Sequence, residues 1–321
     1  MFLENGFYPQ NKFWKYLVGS IIIFSASLIG QIPFGIAVVA KTIMAGKPYP
    51  TTNEEVMTVF EPNMTLFLLL LSFVFGLFGI FLVVKYFHKQ TFLSVTTSRS
   101  KVDWGRVLFA FFVWTLFTAG ATLLAYFDSP ENFTVNFKPI PFFILAIIGI
   151  VMIPIQTSTE EYVFRGYLMQ GFAVLAKNRW FPLVMTSLIF GMMHIANPEV
   201  EKMGYIVLIY YIGTGFFLGI ITLMDEGMEL ALGFHAANNL VTALLVTSDW
   251  SAFQTHSIFK DNSTPSVGFE ILTPVLVIFP ILLFIFSKKY QWTDWKEKLT
   301  GKIDVTVKSN QIDEINEQPN V

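Results

Sequence analysis

Four side chains in the second half of the sequence are of types that can hydrolyse an amide: Glu160, His194, His235 and Asn239. Each stands in or beside an apolar run. Glu160 opens "EEYVFR" at 160–165, His194 closes "FGMMH" at 190–194, and His235 and Asn239 bracket "HAANN" at 235–239. A charged side chain at bilayer depth costs roughly 2.5–3.5 kcal/mol on insertion scales, so ionisable groups in such runs are expected to be paired or functional. Glu161 and Arg165 lie four residues apart on one helical face and can neutralise each other. Glu160 is rotated by about 100° from Glu161 and has no partner at that spacing, which leaves it for chemistry. His235 and Asn239 also share a face. Phe190 lies one turn before His194, where its ring would shield the imidazole from lipid. A carboxylate or imidazole can take a proton from water. A second imidazole and an amide N–H₂ can stabilise the oxyanion of a tetrahedral intermediate, each donor being worth roughly 2.7–4 kcal/mol.

These residues need a membrane scaffold to position them, and the composition supplies one. Of 321 residues, 54% are hydrophobic, 17% aromatic and 14% charged, with mean hydropathy +0.57; an ordinary soluble domain carries about 25% charged residues. The net charge of −2 and the absence of a basic tract argue against nucleic acid. With no cysteine, disulfides, thiolate metal sites, a thiol nucleophile and C-terminal prenylation of the chain itself are excluded. Apolar runs at about 16–42, 64–87, 104–127, 139–157, 180–196, 204–224, 229–247 and 267–287 predict an all-α, polytopic membrane protein of about eight helices. Its site is expected between the helices of the C-terminal half. The expected organisation is N-terminal membrane helices over 1–138, a catalytic membrane core over 139–287 and a polar tail over 288–321. Lys85, Lys89, Arg99, Lys101 and Arg106 cluster in one connection, and Lys288, Lys289, Lys296, Lys298 and Lys302 in the tail. Basic residues favour the cytoplasmic side, so both termini are expected there.

The stretch 158–179 reads either as an interfacial helix or as one arm of a membrane hairpin turning near Asn178. In the second case Glu160 and His194 reach nearly the same depth, at about 1.5 Å rise per residue. His88 and His256 fall in connections, where solvated histidines are expected. Asp225, Glu226 and Glu229 read as a solvated turn. Gly215 and Gly219 read as a close helix-packing contact rather than a dinucleotide fingerprint. Asn63, Asn132 and Asn262 open glycosylation sequons that matter only in a lumenal loop of a eukaryotic protein.

Taken together, "EExxxR", "FxxxH" and "HxxxN" in successive apolar segments resemble the CAAX-protease and bacteriocin-processing (CPBP, Abi) family of intramembrane endopeptidases, which includes CAAX prenyl protease 2. All three motifs occur in the family's order: Glu160-Glu161-Arg165, Phe190-His194 and His235-Asn239. The resemblance covers about residues 140–247. It implies that Glu160 and His194 activate a water, that His235 and Asn239 hold the oxyanion, and that Glu161 and Arg165 are structural. Both a metalloendopeptidase and a metal-free glutamate mechanism are argued for the family. If a metal such as zinc takes part, Glu160, His194 and His235 are its candidate ligands, although the H-E-x-x-H spacing is absent. The implied substrate is a membrane-associated peptide or protein: a prenylated C-terminus in a eukaryote, a pheromone, bacteriocin leader or membrane-anchored fragment in a bacterium. The cysteine-free, Phe-, Lys- and Asn-rich composition leans towards a bacterial plasma membrane. A non-catalytic scaffold or bacteriocin-immunity protein on the same fold is the alternative. A proton-coupled transporter is disfavoured, because no inverted repeat of interrupted helices is visible.

Overall fold

In the computed structural model, which describes residues 1–8, 11–265 and 268–304, the apolar runs become helices. They are α1 (Phe13–Met44), α2 (Pro62–Phe87), α3 (Trp104–Asp128), α4 (Pro139–Ala176), α5 (Trp180–Met192), α6 (Tyr205–Asp225), α7 (Glu229–Leu245) and α8 (Ile271–Tyr290). The protein is a polytopic all-α membrane protein. Six of these helices are long and apolar enough to cross a bilayer; α5, with 13 residues, and α7, with 17, are shorter. The expected helices, about eight, are present, six of them of crossing length. At about 1.5 Å per residue, α5 spans only about 20 Å of a hydrocarbon core about 30 Å thick.

The ambiguous stretch 158–179 belongs to a single helix, α4, of 38 residues. The chain leaves it through Lys177 in the left-handed conformation (φ 53°) and returns as α5. The stretch thus continues the preceding helix and forms a helical hairpin with α5 that turns near Asn178. From Tyr162 to Leu168 the helix widens to i→i+5 hydrogen bonding, a distortion that is frequent at functional sites.

One end of the bundle gathers the N-terminus and the described start of the tail. The Phe2 amide donates to Glu226 (2.6 Å), Asn5 to the Ser94 and Thr97 carbonyls, and the Ile303 amide to the Lys177 carbonyl. The connection between α2 and α3 lies at the same end, where the Met228 amide donates to Thr96. Through Ile303 the tail is docked, with Trp292 and Ile303 buried; residues 305–321 lie outside the described residues. At the opposite end, Phe133–Val135 (β1), Val246–Thr247 (β2) and Phe259–Asp261 (β3) form a small sheet in the order β1-β3-β2, antiparallel then parallel.

Two sequence expectations at the terminal end are overturned. Asp225 and Glu229 do not form a solvated turn but are buried. Arg99 pairs with both at 3.1 Å, Arg106 binds Asp225, and the Trp292 indole donates to Asp225 at 3.1 Å. Nor is His88 solvated: it is fully buried between Asn11 (2.9 Å) and the Tyr167 hydroxyl (2.8 Å). The partners that make these burials affordable are remote in sequence. His256 does sit in a connection, bonded to Glu61 at 2.5 Å. Asn63 is buried and donates to the Pro141 carbonyl.

Helix packing sets the register of the site. On α6, a Cβ at Gly215 would meet Ser187 backbone atoms of α5 at 2.8 and 2.9 Å, and one at Gly219 would meet Leu183 at 2.5 Å. The small-residue stripe is thus a close α5–α6 contact, as expected. On α7, Gly233 lies against the Val107 backbone of α3. That contact brings α7 against the first turns of α3. A buried aromatic cluster including Trp114, Phe164, Phe190, Phe217, Phe234 and Phe279 fills the space around this junction.

Candidate active site

Glu160 and Glu161 end the regular part of α4, and their environments differ sharply. Glu161 is fully buried and accepts from Arg165, also fully buried, at 3.1 Å. Arg165 reaches on to the Gly215 carbonyl (3.1 Å), and its guanidinium lies 4.4 Å from the centre of the Phe190 ring. The i,i+4 pair is therefore tied to α5 and α6. The Glu160 side chain retains 18% exposure. Its Oε1 accepts from Gln156 at 2.6 Å. Its Oε2 lies 3.5 Å from His235 Nε2, a looser approach than a normal hydrogen bond.

His235 joins the two carboxylates, since its Nδ1 lies 2.8 Å from Glu161 Oε1. With Glu161 accepting, Nδ1 carries the proton and Nε2 is the nitrogen facing Glu160. One turn on, Asn239 donates to the Gln156 carbonyl at 3.0 Å. The HxxxN face of α7 thus meets the Glu160 face of α4, with Gln156 between Asn239 and Glu160.

His194 follows the last turn of α5. Its Nδ1 lies 2.8 Å from the Phe190 carbonyl, which can only accept, so Nδ1 is protonated and Nε2 is left basic. The imidazole stacks on Tyr211 (4.2 Å, 17°) and leans on Phe190 (4.9 Å). Phe190 also meets His235 edge-on at 6.0 Å. One phenylalanine therefore touches Arg165, His194 and His235, which goes further than the shielding expected of it. Glu160, His235 and Arg165 all lie within electrostatic reach of His194.

The donors do not converge as a metal site would. Zinc in a protease takes three protein ligands around one point. Here Glu160 Oε2 and His235 Nε2 face each other at 3.5 Å, with His235 Nδ1 held by Glu161 as the outer nitrogen of a ligating imidazole is, but no third ligand is placed with them among the described residues. Among the described residues no group of three His, Asp or Glu has the placement to hold a metal ion. Glu160, His194 and His235 do not fit as a ligand set.

Gln156, Asn238, Trp114 and Tyr211 escaped the sequence reading. Gln156 could have been noticed as a carboxamide one turn before Glu160 in an apolar run. Nothing local marks Trp114 or Tyr211, whose contacts exist only between helices.

An all-α membrane bundle with a buried carboxylate–imidazole–amide cluster defines the class to which this site belongs. Residues 138–241 match the family model for type II CAAX prenyl endopeptidases, Rce1-like. Over that segment the chain is similar to the CAAX-protease and bacteriocin-processing family. Every polar residue of the site except Trp114 falls inside the match. The chain is also 29% identical, over 245 residues, to the uncharacterized protein YyaK of Bacillus subtilis (strain 168), covering 76% of this chain and 81% of that protein. No solved structure gives a significant match.

Proposed function

We propose that this protein is an intramembrane endopeptidase that hydrolyses a peptide bond of a membrane-associated protein or peptide. The observation that carries the reading is the asymmetry of the two glutamates. Glu161 is sealed and neutralised by Arg165, whereas Glu160 is part-exposed, with one oxygen only loosely approached by His235. A carboxylate in that setting can take a proton from water.

In this reading a water lies between Glu160 Oε2 and His194 Nε2. Glu160 accepts its proton while the hydroxyl oxygen attacks the scissile carbonyl carbon. An N–H of Asn239 receives the oxyanion, and His235 joins it when Nε2 also carries a proton, Nδ1 being given to Glu161. The C–N bond then breaks, and the proton held by Glu160 passes to the leaving amine. Glu161 and Arg165 hold the ring of His235 and the frame of α4.

The basic clusters, the N-terminus and the described part of the tail lie at one end of the bundle, and we assign that end to the cytoplasm, in a bacterial plasma membrane. Counting from Met228, His235 lies seven residues along α7, about 10 Å below that end at 1.5 Å per residue. A bond within one or two turns of the cytoplasmic interface is therefore the natural substrate. Comparing membrane-fraction peptides of cells carrying the wild type and Glu160→Gln tests this. The expected result is a substrate accumulating uncut in the variant. Indistinguishable peptide pools, together with a phenotype kept by Glu160→Gln, favour the non-catalytic scaffold instead.

A further inference from the structure

Four hydrogen bonds around the site run head to tail. Trp114 Nε1 donates to Asn238 Oδ1 at 3.0 Å. Asn238 Nδ2 donates to Asn239 Oδ1 at 3.0 Å, Asn239 Nδ2 to Gln156 Oε1 at 3.0 Å, and Gln156 Nε2 to Glu160 Oε1 at 2.6 Å. We infer that Trp114, Asn238 and Gln156 form a one-way relay that fixes the orientation of Asn239 and Glu160. This inference rests on the hydrolase reading, in which those two residues touch the reacting atoms.

The direction follows from the two ends. An indole N–H is a donor only, and an ionised carboxylate is an acceptor only. A primary amide has nearly the same shape in its two flipped orientations, so a lone Asn239 could present oxygen or nitrogen. Within this chain only one set of orientations satisfies every member. Trp114 requires the oxygen of Asn238, which turns the amide nitrogen of Asn238 to the oxygen of Asn239. The nitrogen of Asn239 then faces Gln156, and that of Gln156 faces Glu160. Reversing the three amides would put N–H against N–H at Trp114 and a carbonyl oxygen against the carboxylate at Glu160.

The consequence is chemical. Asn239 spends one N–H on Gln156 and keeps its second for a developing oxyanion; in the flipped state an oxygen would stand there and repel it. Chains of this kind also polarise their members, each bond strengthening the next. The ends are rigid enough to impose the choice. Trp114 is 6% exposed, stacked on Phe117 (5.0 Å, 19°) and packed on Phe234 (4.5 Å), while Gln156 is 4% exposed. Trp114 belongs to α3, outside the family-matched segment, so a helix foreign to the three motifs sets the polarity of the site. Trp114, Asn238 and Gln156 are positioning residues.

Two readouts on the full-length protein in detergent test the relay. In turnover, Trp114→Phe keeps the ring and loses the donor. The kcat is expected to fall about three- to tenfold, the bias that one net hydrogen bond supplies, with KM within about twofold. Trp114→Phe combined with Asn238→Leu should be no more than about twofold slower than the worse single variant, because one break suffices. The second readout needs no turnover. The Trp114 indole N–H resonance, identified by its loss in Trp114→Phe, should move in Gln156→Met, although Trp114 donates to Asn238 and not to Gln156, while the melting temperature stays near wild type. A wild-type kcat in Trp114→Phe, multiplying losses in the double variant, or an unmoved indole resonance in Gln156→Met would each overturn the relay. A wild type that turns over nothing while the resonance moves overturns the hydrolase reading and sustains the relay as a structural device.

Discussion

Arg165→Met is the perturbation whose size the structure sets most closely. The guanidinium is fully buried and makes three contacts: Glu161 at 3.1 Å, the Gly215 carbonyl at 3.1 Å and the face of Phe190 at 4.4 Å. Methionine fills much of the volume and supplies none of them. The carboxylate it leaves is itself fully buried, and its Oε2 already has no hydrogen-bond partner. Only His235 then holds Glu161. Removing one partner of a buried pair costs about 3–5 kcal/mol, chiefly because the other charge is stranded, and the lost donor to Gly215 falls within that range. The same reasoning fixes the companion variant. Glu161→Gln with Arg165→Met removes both charges while leaving an amide oxygen for His235, so it should recover at least half of the loss. Equilibrium unfolding in detergent micelles, followed by tryptophan fluorescence, measures both. A loss below about 1 kcal/mol in Arg165→Met, or a double variant no more stable than the single one, would refute the argument that stranded charge dominates.

Other perturbations probe the scaffold. Burial, aided by the charge of nearby Lys15, pushes the His88 imidazole down to about 4 from its ordinary 6.5. Between those values the unfolded chain binds the proton that the folded protein refuses, so stability is full above about pH 6.5 and falls as pH drops towards 4. His88→Gln should flatten that limb of an unfolding-against-pH curve, and an unchanged limb assigns the effect elsewhere. At Gly215, alanine would press on Ser187 backbone atoms that cannot rotate away, costing about 1–3 kcal/mol and displacing the carbonyl that anchors Arg165. Alanine at Gly35, which meets nothing within 4 Å, is the neutral control in the same thermal assay; equal melting temperatures for the two variants would contradict the packing account.

What the sequence made legible was what repeats within one helix. The hydropathy runs gave the helices, and the four-residue spacings gave Glu161–Arg165, Phe190–His194 and His235–Asn239, because an α-helix puts such residues on one face. The bonds between those faces were not legible. The sequence reading set Glu160 with His194 and His235 with Asn239; the structure seats His235 between Glu160 and Glu161, and Gln156 between Glu160 and Asn239. Asp225 and Glu229 looked like a solvated turn because Arg99 and Arg106, their partners, stand more than 100 residues earlier. His88 misled for the same reason, its partners Asn11 and Tyr167 lying 77 and 79 residues away. On α5 and α7 apolar composition continued past the point at which the helix stopped, so those two helices are shorter than their runs.

The central claim is that Glu160 activates a water molecule for amide hydrolysis inside the bundle. The measurement that meets it most directly is mass spectrometry of membrane peptides incubated with the purified, reconstituted protein in ¹⁸O-labelled water. The account predicts cleavage by the wild type with one ¹⁸O in each newly formed carboxyl group, and no such product from Glu160→Gln at equal folded protein. Labelled product formed equally by Glu160→Gln, or cleavage without label, would contradict it.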